Sequence, residues 1–278
     1  MDFIEILKAI LQGIVQGITE WLPISSTGHL LLLNEILPMQ VSRDFFDVFK
    51  VVIQLGSIMA VVVLYFHKLN PFSPKKTDKE KSQTFSLWAK VLIASVPAAI
   101  AGLLLDDLID GVLSSPFIIA TALIIYGILF IWLESRKTQP RINNFNEMSY
   151  RTALCIGAFQ MLALIPGTSR SGSTILGAVF LGSSRFVAAE FSFFMAIPVM
   201  FGASGLKLVK YAVGNGGLSF SNLEWIALIV GTVVAFIVSL LVIKFLMAFI
   251  KKHDFKPFGY YRIVLGIVVI LYFAFWNM

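Results

Sequence analysis

The sequence predicts an all-α polytopic membrane protein: a single integral membrane domain over 1–278, with six transmembrane helices and two re-entrant broken-helix hairpins in an inverted-topology repeat. Three observations predict it. Of 278 residues, 58% are apolar and 14% are charged, with a mean hydropathy of +0.85, whereas a water-soluble domain carries about a quarter charged residues. Six apolar stretches are each long enough to cross a bilayer, which takes about 20 residues. Two further apolar stretches are broken by a proline and a run of polar residues. This composition excludes disordered, collagen-like and disulfide-stapled secreted chains. The lone Cys155 argues against disulfide and zinc chemistry. The net charge of +6 sits in short loops between apolar spans, so it reads as a topology signal and not as a nucleic-acid-binding face.

Residues 3–37 form the first broken region, interrupted at Pro23 by Ser25-Ser26-Thr27-Gly28-His29. Spans at 47–66, 87–105 and 116–134 follow. Residues 152–182 form the second broken region, interrupted at Pro166 by Gly167-Thr168-Ser169-Arg170-Ser171-Gly172, and spans at 186–213, 225–248 and 262–277 complete the series. Each broken region reads as two half-helices around a polar elbow, because non-helical backbone at membrane depth is tolerated only inside protein or beside a water-filled cavity. The first stretch contains Asp2 and Glu5 and lacks a small-residue cleavage pattern, so insertion is expected through internal spans.

Loop charges orient the spans. Lys68, Lys75, Lys76, Lys79 and Lys81 occupy the loop at 67–86, Arg136, Lys137, Arg141 and Arg151 the loop at 135–151, and Lys251, Lys252 and Lys256 the loop at 249–261. These loops are expected on the cytoplasmic side. Alternate loops carry acids, with Asp106, Asp107 and Asp110 in one and Glu224 in the other, and are expected outside; Lys207 and Lys210, near the outer end of their span, depart from the pattern. With these orientations the first broken region must begin and end outside and the second must begin and end inside. Two halves of opposite orientation result, about 1–135 and about 150–278, with the polar elbows meeting near mid-membrane.

In the first elbow, Gln16 and Glu20 are four apart and share a helix face. Pro23 is expected to end the first half-helix near Leu22 and to open the next, which would put Ser26 and His29 on one face. An ionisable group at membrane depth costs at least ~2.5 kcal/mol, so Glu20 is a functional candidate. Adjacent hydroxyls commonly just bond the preceding turn, yet Ser25, Ser26 and Thr27 stand beside Glu20 and His29. His29 is also set apart, since His67 and His253 neighbour Lys68 and Lys252.

The second elbow contributes Arg170, a permanent cation whose planar fork matches phosphate oxygens and which lies inside an apolar region, away from its ends. Thr168 or Ser169 can cap the second half-helix and leave its first amides and positive dipole end for an anion. One elbow therefore offers activating groups and the other an anion clamp, a combination suited to hydrolysing a phosphate ester or anhydride at a bilayer-embedded head group. Ser26 with His29 and Glu20 fits an activated nucleophile, and direct attack by His29 is the variant. Glu20 could also hold Mg²⁺ or Ca²⁺, with phosphate oxygens and water completing the shell.

These elbows resemble the bacterial undecaprenyl-diphosphate phosphatase family, the bacitracin-resistance proteins. The resemblance rests on Gln16-xxx-Glu20 running into Pro23-Ile24-Ser25-Ser26-Thr27-Gly28-His29, and on Pro166-Gly167-Thr168-Ser169-Arg170-Ser171 with Thr174. It extends to Val52-Ile53-Gln54-Leu55-Gly56-Ser57 and Glu190-Phe191-Ser192-Phe193, and so covers essentially the whole chain. It implies a multi-pass protein of the bacterial plasma membrane that hydrolyses the C55 isoprenoid diphosphate to the monophosphate with a divalent cation, recycling the carrier for cell-wall precursors. Glu20, Ser26, His29 and Arg170 match the family's functional residues. Gln16, Ser25, Thr27, Gly28, Gly167, Ser169, Ser171 and Thr174 are the expected phosphate-binding positions, and Glu20 the metal ligand. Glu or Gln is permitted at the position of Gln16, which cannot be a charged ligand and so leaves more to Glu20. A site opening to the outer face and a homodimer are likewise implied.

Two rivals bear on this reading. Another class of lipid-phosphate phosphatases pairs a Ser-Arg element with a nucleophilic His within about a dozen residues, and Ser171 to Gly182 contains none. Inverted repeats with broken helices also build secondary transporters and lipid flippases, but transport does not require Ser26 and His29 opposite Arg170.

Overall fold

The computed structural model describes residues 2–111, 115–136, 138–214 and 216–276. The side chains of Asp106, Asp107 and Asp110, and the whole of Lys137, lie outside the described residues. The elements in order are α1 (Asp2–Thr19), α2 (Ser26–Ile36), α3 (Arg43–Leu64), the short α4 (Phe66–Leu69), α5 (Asp78–Gly111), α6 (Pro116–Ser135), α7 (Tyr150–Met161), a 3₁₀ turn (Leu162–Leu164), α8 (Arg170–Phe180), α9 (Arg185–Gly214), α10 (Asn222–Phe249) and α11 (Lys256–Trp276). Helices α3, α5, α6, α9, α10 and α11 are the six long and apolar enough to cross a membrane. The all-α, six-span expectation is met. By contrast α2 and α8, 11 residues each, reach only ~16 Å, about half of a hydrocarbon core.

Local chemistry sets the boundaries. Ser42 and Ser149 accept from Phe45 N and Thr152 N to open α3 and α7, and Ser221 with Glu224 forms a reciprocal capping box at α10. Pro116 occupies the first turn of α6, where its missing N–H is no loss. The spans α5 and α11 begin furthest ahead of their hydropathy, at 78 against 87 and at 256 against 262. Thr77 and Glu80 bond reciprocally (Thr77 N to Glu80 Oε2, 2.8 Å; Glu80 N to Thr77 Oγ1, 3.3 Å) and start α5 at Asp78. Asp254 Oδ1 accepts from Lys256 N (3.1 Å) and Pro257 fits the first turn, so α11 starts at Lys256, not at 262. Arg262, which the hydropathy places at a span edge, is therefore well inside a helix.

The long helices turn apolar faces outward. On α10, Ile226, Ile229, Val233, Ile237, Leu241 and Phe245 are exposed at helical spacing, as a lipid-facing surface requires. Inside, Trp21, Phe191, Phe193 and Phe194 centre one core cluster, and Phe45, Phe49, Ile53 and Leu30 a second. Packing is matched across the chain: α1 lies on α10 as α7 lies on α5, α2 follows α1 as α8 follows α7, and α6 packs on α11. Gly13 on α1 and Gly157 on α7 make equivalent close approaches. A Cβ on Gly13 would stand 2.6 Å from Gly231 O, and one on Gly157 would collide with Ala94 O. The two glycines are 144 positions apart, an offset that recurs at the elbows.

Candidate active site

The first elbow corrects the sequence expectation. Helix α1 ends at Thr19, not near Leu22, and Thr19 Oγ1 bonds back to Val15 O (2.6 Å) at that end. Pro23 lies within the turn and does not open α2. That role falls to Ser25, held at φ 77, whose hydroxyl accepts from Gly28 N (3.3 Å). The physical reason is that a capped terminus satisfies an amide which Pro23 at the helix start would leave open. The second elbow repeats the device. Of the two candidate caps it uses Ser169, at φ 75, which accepts from Gly172 N (3.1 Å). Left-handed geometry at a non-glycine residue costs about 1–3 kcal/mol and persists only where the surroundings enforce it. Among the described residues, Ser25 and Ser169 are the positive-φ non-glycine residues, and they too are 144 apart.

That offset places Ser26 and Arg170 at the same position, the first residue of the helix after each cap. Both reach Glu20, which is 5% exposed. Glu20 Oε2 accepts from Ser26 Oγ (2.7 Å) and Gln16 Nε2 (3.0 Å), and Oε1 accepts from Arg170 Nη2 (2.9 Å). Three elements thus meet at one carboxylate across some 150 residues of chain. Arg170 Nη1 donates to Ser192 O (2.8 Å), and its Nε is buried without a protein acceptor.

Of the remaining expected residues, Ser171 and Thr174 bond to members of this cluster, and Thr27 and Gly167 belong to the two elbows. Ser171 Oγ donates toward the carbonyls of Glu20 (3.1 Å) and Leu22 (3.3 Å), tying the second elbow to the first. Thr174 Oγ1 bonds Arg170 O (2.9 Å) and Ser192 Oγ (2.6 Å). Thr27 lies half-buried in the first turn of α2. Gly167, at φ +92, packs so closely that a Cβ would collide with Ile119 O.

His29 does not join Ser26. Its Nδ1 lies 2.7 Å from Ser25 O and its Nε2 2.7 Å from Tyr261 Oη. A carbonyl can only accept, so Nδ1 carries a proton, and in the neutral ring Nε2 accepts from the Tyr261 hydroxyl. The expected Ser26–His29 pairing is replaced by Ser26–Glu20, because the cap at Ser25 turns the first helical residue toward Glu20 and the fourth toward α11.

Sequence reading missed Ser192 and Tyr261. Ser192 carried a signal, lying in a motif that marks the resemblance. Tyr261 carried none, since an aromatic at a span edge looks like an interfacial anchor.

No cluster of three or more His, Cys, Asp or Glu side chains that could hold a metal occurs among the described residues. A cation shared with substrate needs less, since Mg²⁺ is commonly held by one or two carboxylates plus substrate phosphates. Gln16 Oε1 is a buried oxygen without a partner next to Glu20, so Gln16 and Glu20 fit a cation carried in with a diphosphate.

Six spanning helices enclosing a buried carboxylate, hydroxyl and guanidinium define a polytopic membrane protein with an ionisable site inside the bundle. Residues 9–268 match the family model described as Bacitracin resistance protein BacA, and the chain belongs to that family. It is 58% identical to Undecaprenyl-diphosphatase 1 of Clostridioides difficile over 272 residues, 98% of this chain and 97% of the relative. It is 56% identical to an Undecaprenyl-diphosphatase of Enterococcus faecalis over 278 residues (99% and 100% of the two chains) and 58% identical to one of Lactiplantibacillus plantarum over 273 residues (98% of each).

Proposed function

We propose that the chain is an undecaprenyl-diphosphate phosphatase. It hydrolyses the terminal anhydride of undecaprenyl diphosphate to undecaprenyl phosphate and inorganic phosphate, which recycles the lipid carrier and confers bacitracin resistance. The observation that carries this reading is the Glu20 carboxylate accepting from Ser26 on one oxygen and Arg170 on the other.

Ser26 Oγ attacks the terminal phosphorus while its proton passes to Glu20 Oε2. The new bond is Oγ–P, the anhydride P–O bond breaks, and its electron pair leaves on undecaprenyl phosphate. Glu20 hands that proton to the departing undecaprenyl phosphate and is a carboxylate again; water then attacks the phosphoserine as Glu20 takes its proton, the Oγ–P bond breaks, and Glu20 returns the proton to Ser26 Oγ, releasing phosphate and restoring the hydroxyl. Arg170, held by Ser192, faces the charge that builds on the transferred group, and its free Nε fits a phosphate oxygen. Both nitrogens of His29 are engaged, which favours Ser26 over His29 as nucleophile. A bound Mg²⁺ or Ca²⁺ would neutralise part of the diphosphate charge; Gln16 and Glu20 would hold it.

Phosphate release from a polyprenyl diphosphate by purified protein with Mg²⁺ tests this. Ser26→Ala is expected to lower the rate at least ~100-fold, and unchanged turnover would remove the hydroxyl from the chemistry. A transporter or flippase would release no phosphate at all.

The matched packing of α1 on α10 and α7 on α5, with the recurring 144-residue offset, supports two inverted halves, about 1–135 and 150–278, each opening with a re-entrant hairpin. The basic loops support a cytoplasmic location for 67–86, 135–151 and 249–261, and a site open to the outer face is supported by the family resemblance. A cysteine placed in the 75–81 loop is then expected to stay unlabelled by an impermeant reagent applied outside; labelling reverses the orientation. Pairing into a homodimer is supported by the family resemblance.

A further inference from the structure

Arg262 on α11 is wholly buried, and nothing above assigns it a function. Its Nη1 donates to Pro23 O (2.9 Å) in the first elbow, and its Nη2 donates to Gly167 O and Thr168 O (2.9 Å each) in the second. Pro23 and Gly167 are again 144 positions apart, so one guanidinium grips equivalent carbonyls of the two turns. Its Nε points to Leu123 O (3.4 Å), and the Tyr126 ring lies 5.4 Å from its central carbon. No carboxylate bonds Arg262 among the described residues. A buried cation with only carbonyl partners is costly, and its fork geometry here spans a gap that no single-point donor could span.

We propose that Arg262 is a positioning residue for phosphate cleavage: it fixes the separation of the two elbow turns and thereby holds Ser26 of one and Arg170 of the other against the same Glu20. This rests on the reading of those three residues as the reacting site. Pro23 lies three residues before Ser26, and Gly167 three before Arg170, so a shift of either turn carries the helix start with it. Misplacement of reacting groups by about 1 Å costs on the order of 100-fold in rate, and such a loss falls on kcat when the anion is still bound.

The test is phosphate release by Arg262→Lys in detergent-solubilised full-length protein with a polyprenyl diphosphate and Mg²⁺. Lysine keeps the charge but cannot grip both turns. The expected result is a kcat at least ~10-fold below wild type with KM within about threefold, in protein that remains monodisperse, and Arg262→Met lower still. A kcat within about threefold of wild type, or a loss confined to KM, overturns the proposal. Should Arg262→Lys fail to fold, Gly172→Ala read against a Ser169→Gly background decides: its methyl would stand 3.1 Å from Ser169 Cβ and 3.2 Å from Arg262 Nη1, and the glycine removes the first contact, so that the shift of a few tenths of an ångström falls on the guanidinium with its charge intact. A kcat reduced at least ~3-fold supports the clamp, and an unchanged kcat overturns it. Ser26→Ala and Arg170→Ala in the same assay report on the site itself. If both stay active, the reacting-site reading fails. If both are inactive while Arg262→Lys turns over normally, only the clamp fails.

Discussion

In the first elbow Ser25 stands at φ 77 and caps α2 through Gly28 N, and in the second Ser169 stands at φ 75 and caps α8 through Gly172 N. The residue after the cap is Ser26 in one and Arg170 in the other; Gln16 on α1 corresponds to Gln160 on α7, but Glu20 corresponds to Leu164. The same backbone device thus presents a hydroxyl beside a carboxylate from one half and a guanidinium from the other. In the proposed mechanism the matched geometry of the two turns supplies the placement, and the different side chains at equivalent positions supply the division of labour between nucleophile and clamp.

The largest expected effect comes from breaking the contact between the elbows. Arg170→Ala is expected to lower phosphate release at least ~100-fold and to destabilise the protein by ~3–5 kcal/mol, because Glu20 is left charged, buried and unpaired. Activity and thermal unfolding in detergent check both parts, and a stable, active variant would show that the elbows work independently. Glu20→Gln comes next. It keeps an oxygen acceptor for Arg170 but turns an amide N–H₂ toward Ser26 and cannot take the Ser26 proton, so turnover is expected to fall ~100-fold in a protein that still inserts and folds. Activity retained across pH would make Glu20 structural. The smallest effect sharpens the equivalence of the two turns. Ser25→Ala and Ser169→Ala each remove one helix cap, worth ~1 kcal/mol, and should lower the unfolding temperature by similar amounts. Clearly unequal shifts would mean that the two caps are not interchangeable.

Much of the site was legible in the residues because its chemistry is costly in a membrane. Glu20 and Arg170 stand out against an apolar background, and the hydroxyls gather at the two prolines. What failed to show was local geometry and distant support. Pro23 reads as a helix boundary, yet the cap at Ser25 sets it, since a side-chain acceptor for Gly28 N outweighs the preference of proline for a first turn. Ser26 and His29 read as partners by spacing alone, whereas Tyr261 takes His29 from a helix 232 residues away. Arg262 hid at an apparent span edge, because hydropathy does not see that Asp254 and Pro257 start α11 earlier.

The sequence by itself determined that the chain crosses a bilayer, that its first and second broken regions interrupt their helices near the two prolines, and that Glu20 and Arg170 lie inside apolar stretches, because hydrophobic transfer energy and proline stereochemistry act locally and can be read residue by residue. Which of those groups touch was decided by tertiary structure. The ion pair of Glu20 with Arg170, the loss of His29 to Tyr261, and the grip of Arg262 on both turns all depend on helices packed far apart in the chain, where distance in space is set by the bundle and not by spacing in the sequence.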